Sequence, residues 1–232
     1  MFVGHYGPAF VARKLKGSIP LWVLFAAAQL LDIVWCILVL LGINKVNLEG
    51  GYEQMDPYYM PFDHGLDAAL LWSLGAGFAY WLWRKSDGRL AALLVGATVF
   101  SHWILDFITH KPELALVGDS FKVGLGLWKY PVMSLVAEIA ALFGGMYVYM
   151  RATKAVTPGG RYAMFILGLV MLAIHISLFF GPPPPSTPFA AIAGLVCYVG
   201  FTACAFWLDK KRVNVASGRV NDVSSARTTP AL

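Results

Sequence analysis

Six apolar runs, each close to the ~20 residues needed to cross a bilayer, dominate this chain. They cover approximately residues 18–42, 64–84, 89–108, 128–151, 161–181 and 189–208. In hydrocarbon, backbone polar groups must be satisfied internally, so such runs fold as helices. The 232 residues are 58% hydrophobic and 13% charged, whereas soluble domains are about one quarter charged. The expected fold is all-α, a polytopic membrane bundle of six transmembrane helices. Residues 1–212 form a single integral membrane domain and 213–232 a flexible cytoplasmic tail rich in Ser, Thr, Asn and Arg. Pro20, Pro131 and Pro188 sit where helices are expected to begin.

The loops set an orientation. Arg13, Lys14 and Lys16, then Arg84, Lys85 and Arg89, then Arg151, Lys154 and Arg161 all fall on one side. Lys210, Lys211, Arg212, Arg219 and Arg227 join them. The other side carries Lys45, Lys111, Lys122 and Lys129 with the acidic loop Glu49, Glu53, Asp56 and Asp63. The excess of positive charge places the first side in the cytoplasm, with both ends of the bundle, and loops 43–63, 109–127 and 182–187 outside. Pro182 to Pro185 predict a stiff external turn. Net charge is +5, but the basic residues flank apolar runs and form no nucleic-acid patch. Cys36, Cys197 and Cys204 lie in apolar runs without CxxC spacing, which argues against a disulfide framework. The N-terminus lacks the cleavage pattern of a signal peptide, so the first apolar run is expected to remain.

Residues Phe2 to Ala12 are mostly apolar but too few to span. Two arrangements fit them. The segment can fold back as a short re-entrant arm beside span one, buried by protein. It can equally lie as an amphipathic helix on the cytoplasmic surface.

The chemistry-bearing residues cluster by position. His102, Asp106 and His110 are spaced i, i+4, i+8 in span three and share one helix face. Ionisable groups inside an apolar span are costly and need partners or a purpose. Asp32 lies ~15 Å from the outer end of span one, and His64 opens span two. These five groups can converge in the outer half of the membrane. Imidazoles with carboxylates suit one or two divalent metal ions, zinc first among them. His5 joins only if the N-terminal arm folds back. A carboxylate outside the ligand set, Asp67 or Glu138, is the candidate general base. The competing reading is a buried network in which the same groups hydrogen-bond across helices. His175 has no local carboxylate partner and reads as a core histidine. The Trp residues read as interfacial or packing aromatics, and Gly75, Gly77, Gly144 and Gly145 as close helix contacts.

The order Gly4-His5, Leu-Leu-Asp32, His64 before an apolar run, and Ser-His102-x-x-x-Asp106 resembles a bacterial inner-membrane family of metal-dependent hydrolases. The SOS-regulated, LexA-associated membrane proteins belong to that family. The resemblance covers roughly residues 1–150. It implies that His5, Asp32, His64, His102 and Asp106 are the family's metal-site residues and that the membrane is the bacterial inner membrane. The family's Pro-Asp-x-Asp and Thr-His-Ser appear here as Leu-Leu-Asp32-Ile and Asp63-His64-Gly65. Losing a carboxylate and a hydroxyl implies a changed site or a lost activity.

The expected function is a metal-dependent hydrolase acting at the outer half of the bilayer on a membrane lipid or another amphiphilic ester. The alternative is a non-catalytic membrane subunit or assembly factor with partner subunits. Haem held by His102 and His175, or an ion pathway through the same polar groups, are further uses.

Overall fold

The structure, a computed structural model, describes residues 1–48 and 55–215. A short 3-10 turn at Val3–His5 leads into helix α1 (Tyr6–Leu15). Helices α2 (Leu21–Ala28) and α3 (Leu30–Leu40) follow, then a hairpin of β1 (Lys45–Leu48) and β2 (Met55–Tyr59). Helices α4 (Leu66–Trp83) and α5 (Arg89–Thr109) are joined by a tight turn. Helix α6 (Pro131–Ala152) runs into strand β3 (Thr153–Ala155). Then come α7 (Pro158–Phe180), α8 (Thr187–Asp209) and strand β4 (Arg212–Asn214), which pairs antiparallel with β3. The start of the expected flexible tail is therefore a strand, and the remainder from 216 lies outside the described residues, as do Glu49 and Glu53.

Among the described residues, α5, α6, α7 and α8 are each long and apolar enough to cross a membrane. Helices α2 and α3 add a fifth candidate if their 52° bend is one broken span. The expected six are thus met only in part. Helix α4 has 18 residues, but Asp67, Trp72, Tyr80, Trp81 and Trp83 dilute its hydropathy. The first run is not the continuous helix expected over 18–42. It breaks between Ala28 and Leu30, with Gln29 at φ −109° and ψ 11°. Gln29 is fully buried and its Nε2 donates to the Phe2 carbonyl at 3.1 Å.

The N-terminal segment folds back into the bundle. Val3, His5, Tyr6, Ala9 and Phe10 are completely buried. Helix α1 packs against α2, α5 and α6. Its 10 residues rise only ~15 Å, so it cannot span alone. Its crossing with α6 is a glycine contact. A Cβ on Gly145 would lie 2.6 Å from the Gly7 carbonyl oxygen, and one on Gly7 2.4 Å from the Ala141 carbonyl oxygen. Gly77 plays the same part between α4 and α5, whereas Gly75 and Gly144 face open space. Small residues let backbones approach and gain dispersion contacts where lipid supplies no hydrophobic drive.

Polar ties close both ends. At one end Arg13 pairs with Asp209 at 3.3 Å, and the Asp87 carboxylate accepts from Tyr80 (2.5 Å) and pairs with Arg84 (3.3 Å). At the other, Lys111 pairs with Asp56 at 2.6 Å, and Lys122 donates to the Tyr58 carbonyl at 2.7 Å. These contacts bind the loop after α5 to the β1–β2 hairpin.

Candidate metal centre

The centre is built where the break between α2 and α3, the start of α4 and the end of α5 meet the N-terminal segment. Breaking the first span places Asp32 in the first turn of α3, where the helix dipole favours a carboxylate. The break also presents the Ala28 carbonyl, which accepts from His102 Nδ1 at 2.7 Å. A carbonyl oxygen only accepts, so the proton sits on Nδ1 and the His102 Nε2 lone pair points into the centre. His64 is set the same way. Its Nδ1 lies 2.9 Å from Asp63 Oδ1, and Asp63 also accepts from the His64 amide and from Asn44. The Trp103 indole donates to the His64 carbonyl at 3.1 Å and fixes the backbone beneath it. His110 Nδ1 is hydrogen-bonded to the Glu113 carboxylate, and its ring leans on Trp128 with centroids 4.1 Å apart.

Three imidazoles therefore turn Nε2 toward two carboxylates. His102 Nε2 lies 3.0 Å from Asp106 Oδ2 and 3.6 Å from Asp32 Oδ1. His64 Nε2 lies 3.4 Å from Asp32 Oδ1 and 3.5 Å from Asp106 Oδ2. His110 Nε2 lies 3.6 Å from Asp106 Oδ1. His5 arrives from the N-terminal segment, with Nε2 3.2 Å from Asp106 Oδ1 and 3.0 Å from the Met1 carbonyl oxygen. Its ring stacks on His102 with centroids 3.6 Å apart. Asp32 Oδ2 accepts from the Tyr198 hydroxyl at 2.9 Å. The Met1 nitrogen lies 2.5 Å from Asp106 Oδ1. His5, His102 and Asp106 are essentially inaccessible to solvent.

The donor set fits a divalent ion. Ligand atoms of His5, Asp32 and His102 lie within 4.8 Å of one another, as do those of His64, His102 and Asp106. His102 Nε2 is buried without a hydrogen-bond partner among the described residues. Lone pairs of imidazole and carboxylate facing one another repel unless a cation or proton lies between them. In His64, His102 and His110, Nδ1 is anchored to a carboxylate or carbonyl, the arrangement that orients a metal-ligating histidine, whereas His5 Nδ1 has no such partner among the described residues.

All six sequence-predicted ligands meet here. The two candidate bases do not. Glu138 turns its oxygens to the amides of Phe2 (2.8 Å) and Gly4 (2.7 Å), so it holds the N-terminal segment. Asp67 accepts from the amides of Ala68 (2.8 Å) and Gly118 (2.9 Å), so it pins the loop after α5. Each carboxylate is thus engaged with backbone amides, and neither belongs to the two groups of ligand atoms that lie within 4.8 Å of one another. His175 faces Phe2 and Phe179, while His5 covers His102, so these two histidines form no haem-ligating pair. Asp63 and Glu113, which orient ligands, escaped the sequence reading as site residues. Their signal was an acid at i−1 of His64 and i+3 of His110.

A cavity of about 350 Å³ reaches the centre, and Asp32, His64, Asp106 and His110 are among the residues that line it. Its walls include Trp35, Met60, Phe179 and Phe189, and Pro182 and Pro184 border it. The chain matches no family model, no curated protein and no solved structure.

Proposed function

We propose that this chain is a membrane-embedded, metal-dependent hydrolase whose substrate is an amphiphilic ester, a membrane lipid being the natural class. One observation carries the reading: buried His102 Nε2 faces carboxylate oxygens while its Nδ1 is committed to the Ala28 carbonyl. His5, Asp32, His64, His102, Asp106 and His110 are the ligand candidates. A bound zinc or similar ion would supply an acidified water at an open ligand position. The chain's own groups hold the ligand tautomers, exclude water from the buried side and admit an apolar tail along the cavity wall. Among the ligand carboxylates, Asp32 is the candidate to receive a proton, with Tyr198 holding its other oxygen.

In this reading α4 is the sixth span. Its outward residues Leu71 and Leu74 are each 71% exposed, as a lipid-facing surface requires. The basic ends face the cytoplasm of a bacterial inner membrane and the metal centre faces the outer half. The resemblance to the inner-membrane metal-dependent hydrolases supports the reaction class. Elemental analysis of the detergent-purified protein tests it. Zinc or another divalent metal is expected in stoichiometric amount, lost in His102→Ala together with hydrolysis of a phospholipid or short-chain ester in micelles. Metal-free wild-type protein that cannot be loaded sinks the reading.

A further inference from the structure

We propose that the centre holds two divalent cations bridged by the Asp106 carboxylate, an inference that rests on the metal reading above. The lone pair of a ring nitrogen lies in the plane of its ring, so a ligated ion lies close to that plane. The rings of His5 and His102 are stacked, with planes 2° apart and centroids separated by 3.6 Å. Parallel, offset planes share no point, so one ion cannot serve both histidines. Proximity alone would place His5, Asp32 and His102 around a single ion, but the ring planes forbid it. Two ions, one in each plane, could sit no closer than the spacing of the planes, which the 3.6 Å centroid separation bounds from above. Hydrolytic two-metal sites hold their ions ~3.5–4 Å apart.

The oxygens divide in the same way. Asp106 Oδ2 faces His102 and His64 at 3.0 and 3.5 Å. Those two rings cross at 66°, so their planes intersect and one ion can lie in both. Asp32 Oδ1 completes that set at 3.6 and 3.4 Å from the same two nitrogens. Asp106 Oδ1 faces the other pair, His5 at 3.2 Å and His110 at 3.6 Å. The Met1 nitrogen lies 2.5 Å from this oxygen, a contact that an ion bound there would displace. The Met1 carbonyl oxygen accepts from His5 Nε2 at 3.0 Å, so ligation by that nitrogen would move its proton to Nδ1, which has no hydrogen-bond partner among the described residues. His110 and Asp106 line the cavity, so the second ion is reachable by a water or an ester oxygen. Asp32 and His64 line the same cavity, so the first ion would be reachable too, and the second would lie between the N-terminal segment and His110.

Metal counting joined to electron paramagnetic resonance of the manganese-loaded, full-length protein in detergent tests this. Wild type should bind two equivalents of zinc or manganese per chain and give the signal of an exchange-coupled manganese pair. His5→Ala and His110→Ala should each bind one equivalent and give an uncoupled six-line signal. If His5→Ala unseats the N-terminal segment and fails to fold, His110→Ala, in the loop beyond α5, carries the test. One equivalent in wild type with an uncoupled signal overturns the pair and leaves the metal reading standing. No metal in wild type overturns both. Two equivalents retained in both variants overturn the bridged assignment.

Discussion

His5 and His102 stack face to face although one lies on the N-terminal segment and the other near the end of α5. The contact makes the seating of the first residues a condition for a complete centre. Tyr6 and Phe10 anchor that seat against Phe25, with ring centroids 4.6 and 5.2 Å away.

Glu138 is expected to control the seat. Its carboxylate serves two buried amides, one per oxygen. Glu138→Gln keeps one acceptor and turns an amide donor toward another. A buried unsatisfied donor costs about 1–3 kcal/mol. Glu138→Gln should therefore lower the melting temperature in detergent and speed metal loss to a chelator. Wild-type chelation kinetics in this variant would refute the clamp.

Gly145 should not tolerate a side chain. Its Cβ would meet the Gly7 carbonyl at 2.6 Å, and overpacking typically costs ~1–3 kcal/mol. Gly145→Leu should expose α1 to limited proteolysis, while Gly144→Leu, which faces open space, should behave as wild type.

Asp63 should act on affinity through His64. Removing the partner of a ligating imidazole typically weakens metal binding ~10–100-fold. Asp63→Asn should reproduce this in a competition titration with a zinc chelator. Asp67→Asn, whose carboxylate faces the amides of Ala68 and Gly118, should leave the affinity unchanged.

Asp87 should govern acid sensitivity at the opposite end of the bundle. Burial opposes its charge, but the Tyr80 hydroxyl and the Arg84 guanidinium hold its carboxyl below the usual range. The folded value is lower than the unfolded one, near ~3.9. Its contribution is therefore present above the unfolded pKa and lost as pH falls through the folded pKa. Asp87→Asn should lower the melting temperature at neutral pH and flatten its decline in acid. Parallel melting curves for the two proteins across that range would contradict the assignment.

Much of the centre was legible because ligands reveal themselves by type and depth. His102, Asp106 and His110 share a helix face by simple periodicity, and Asp32 and His64 stand out in apolar runs. The break in the first span was not legible. Ala26-Ala27-Ala28-Gln29 contains no proline or glycine, and its residues favour helix. The bend is accompanied by tertiary contacts, Gln29 to the Phe2 carbonyl and Ala28 to His102. The roles of Glu138 and Asp67 were hidden for a related reason. Whether a carboxylate is a base or a clamp depends on which amides reach it, and spacing carries no record of that. The expected count of six is met only in part because the tryptophans and Asp67 lower the mean hydropathy of α4, although its outward leucines are apolar.

The re-entrant N-terminal segment has a consequence for biogenesis. His5 leaves the ribosome well before its neighbours His102 and Asp106 and the clamp Glu138 are made. Domains assemble as their parts emerge, so the earliest-made ligand must wait, undocked, until α5 and α6 have been inserted. Completion of the centre is then a late event in maturation, and a chain arrested before residue 102 holds its first histidine without the ring it stacks on or the carboxylate it faces.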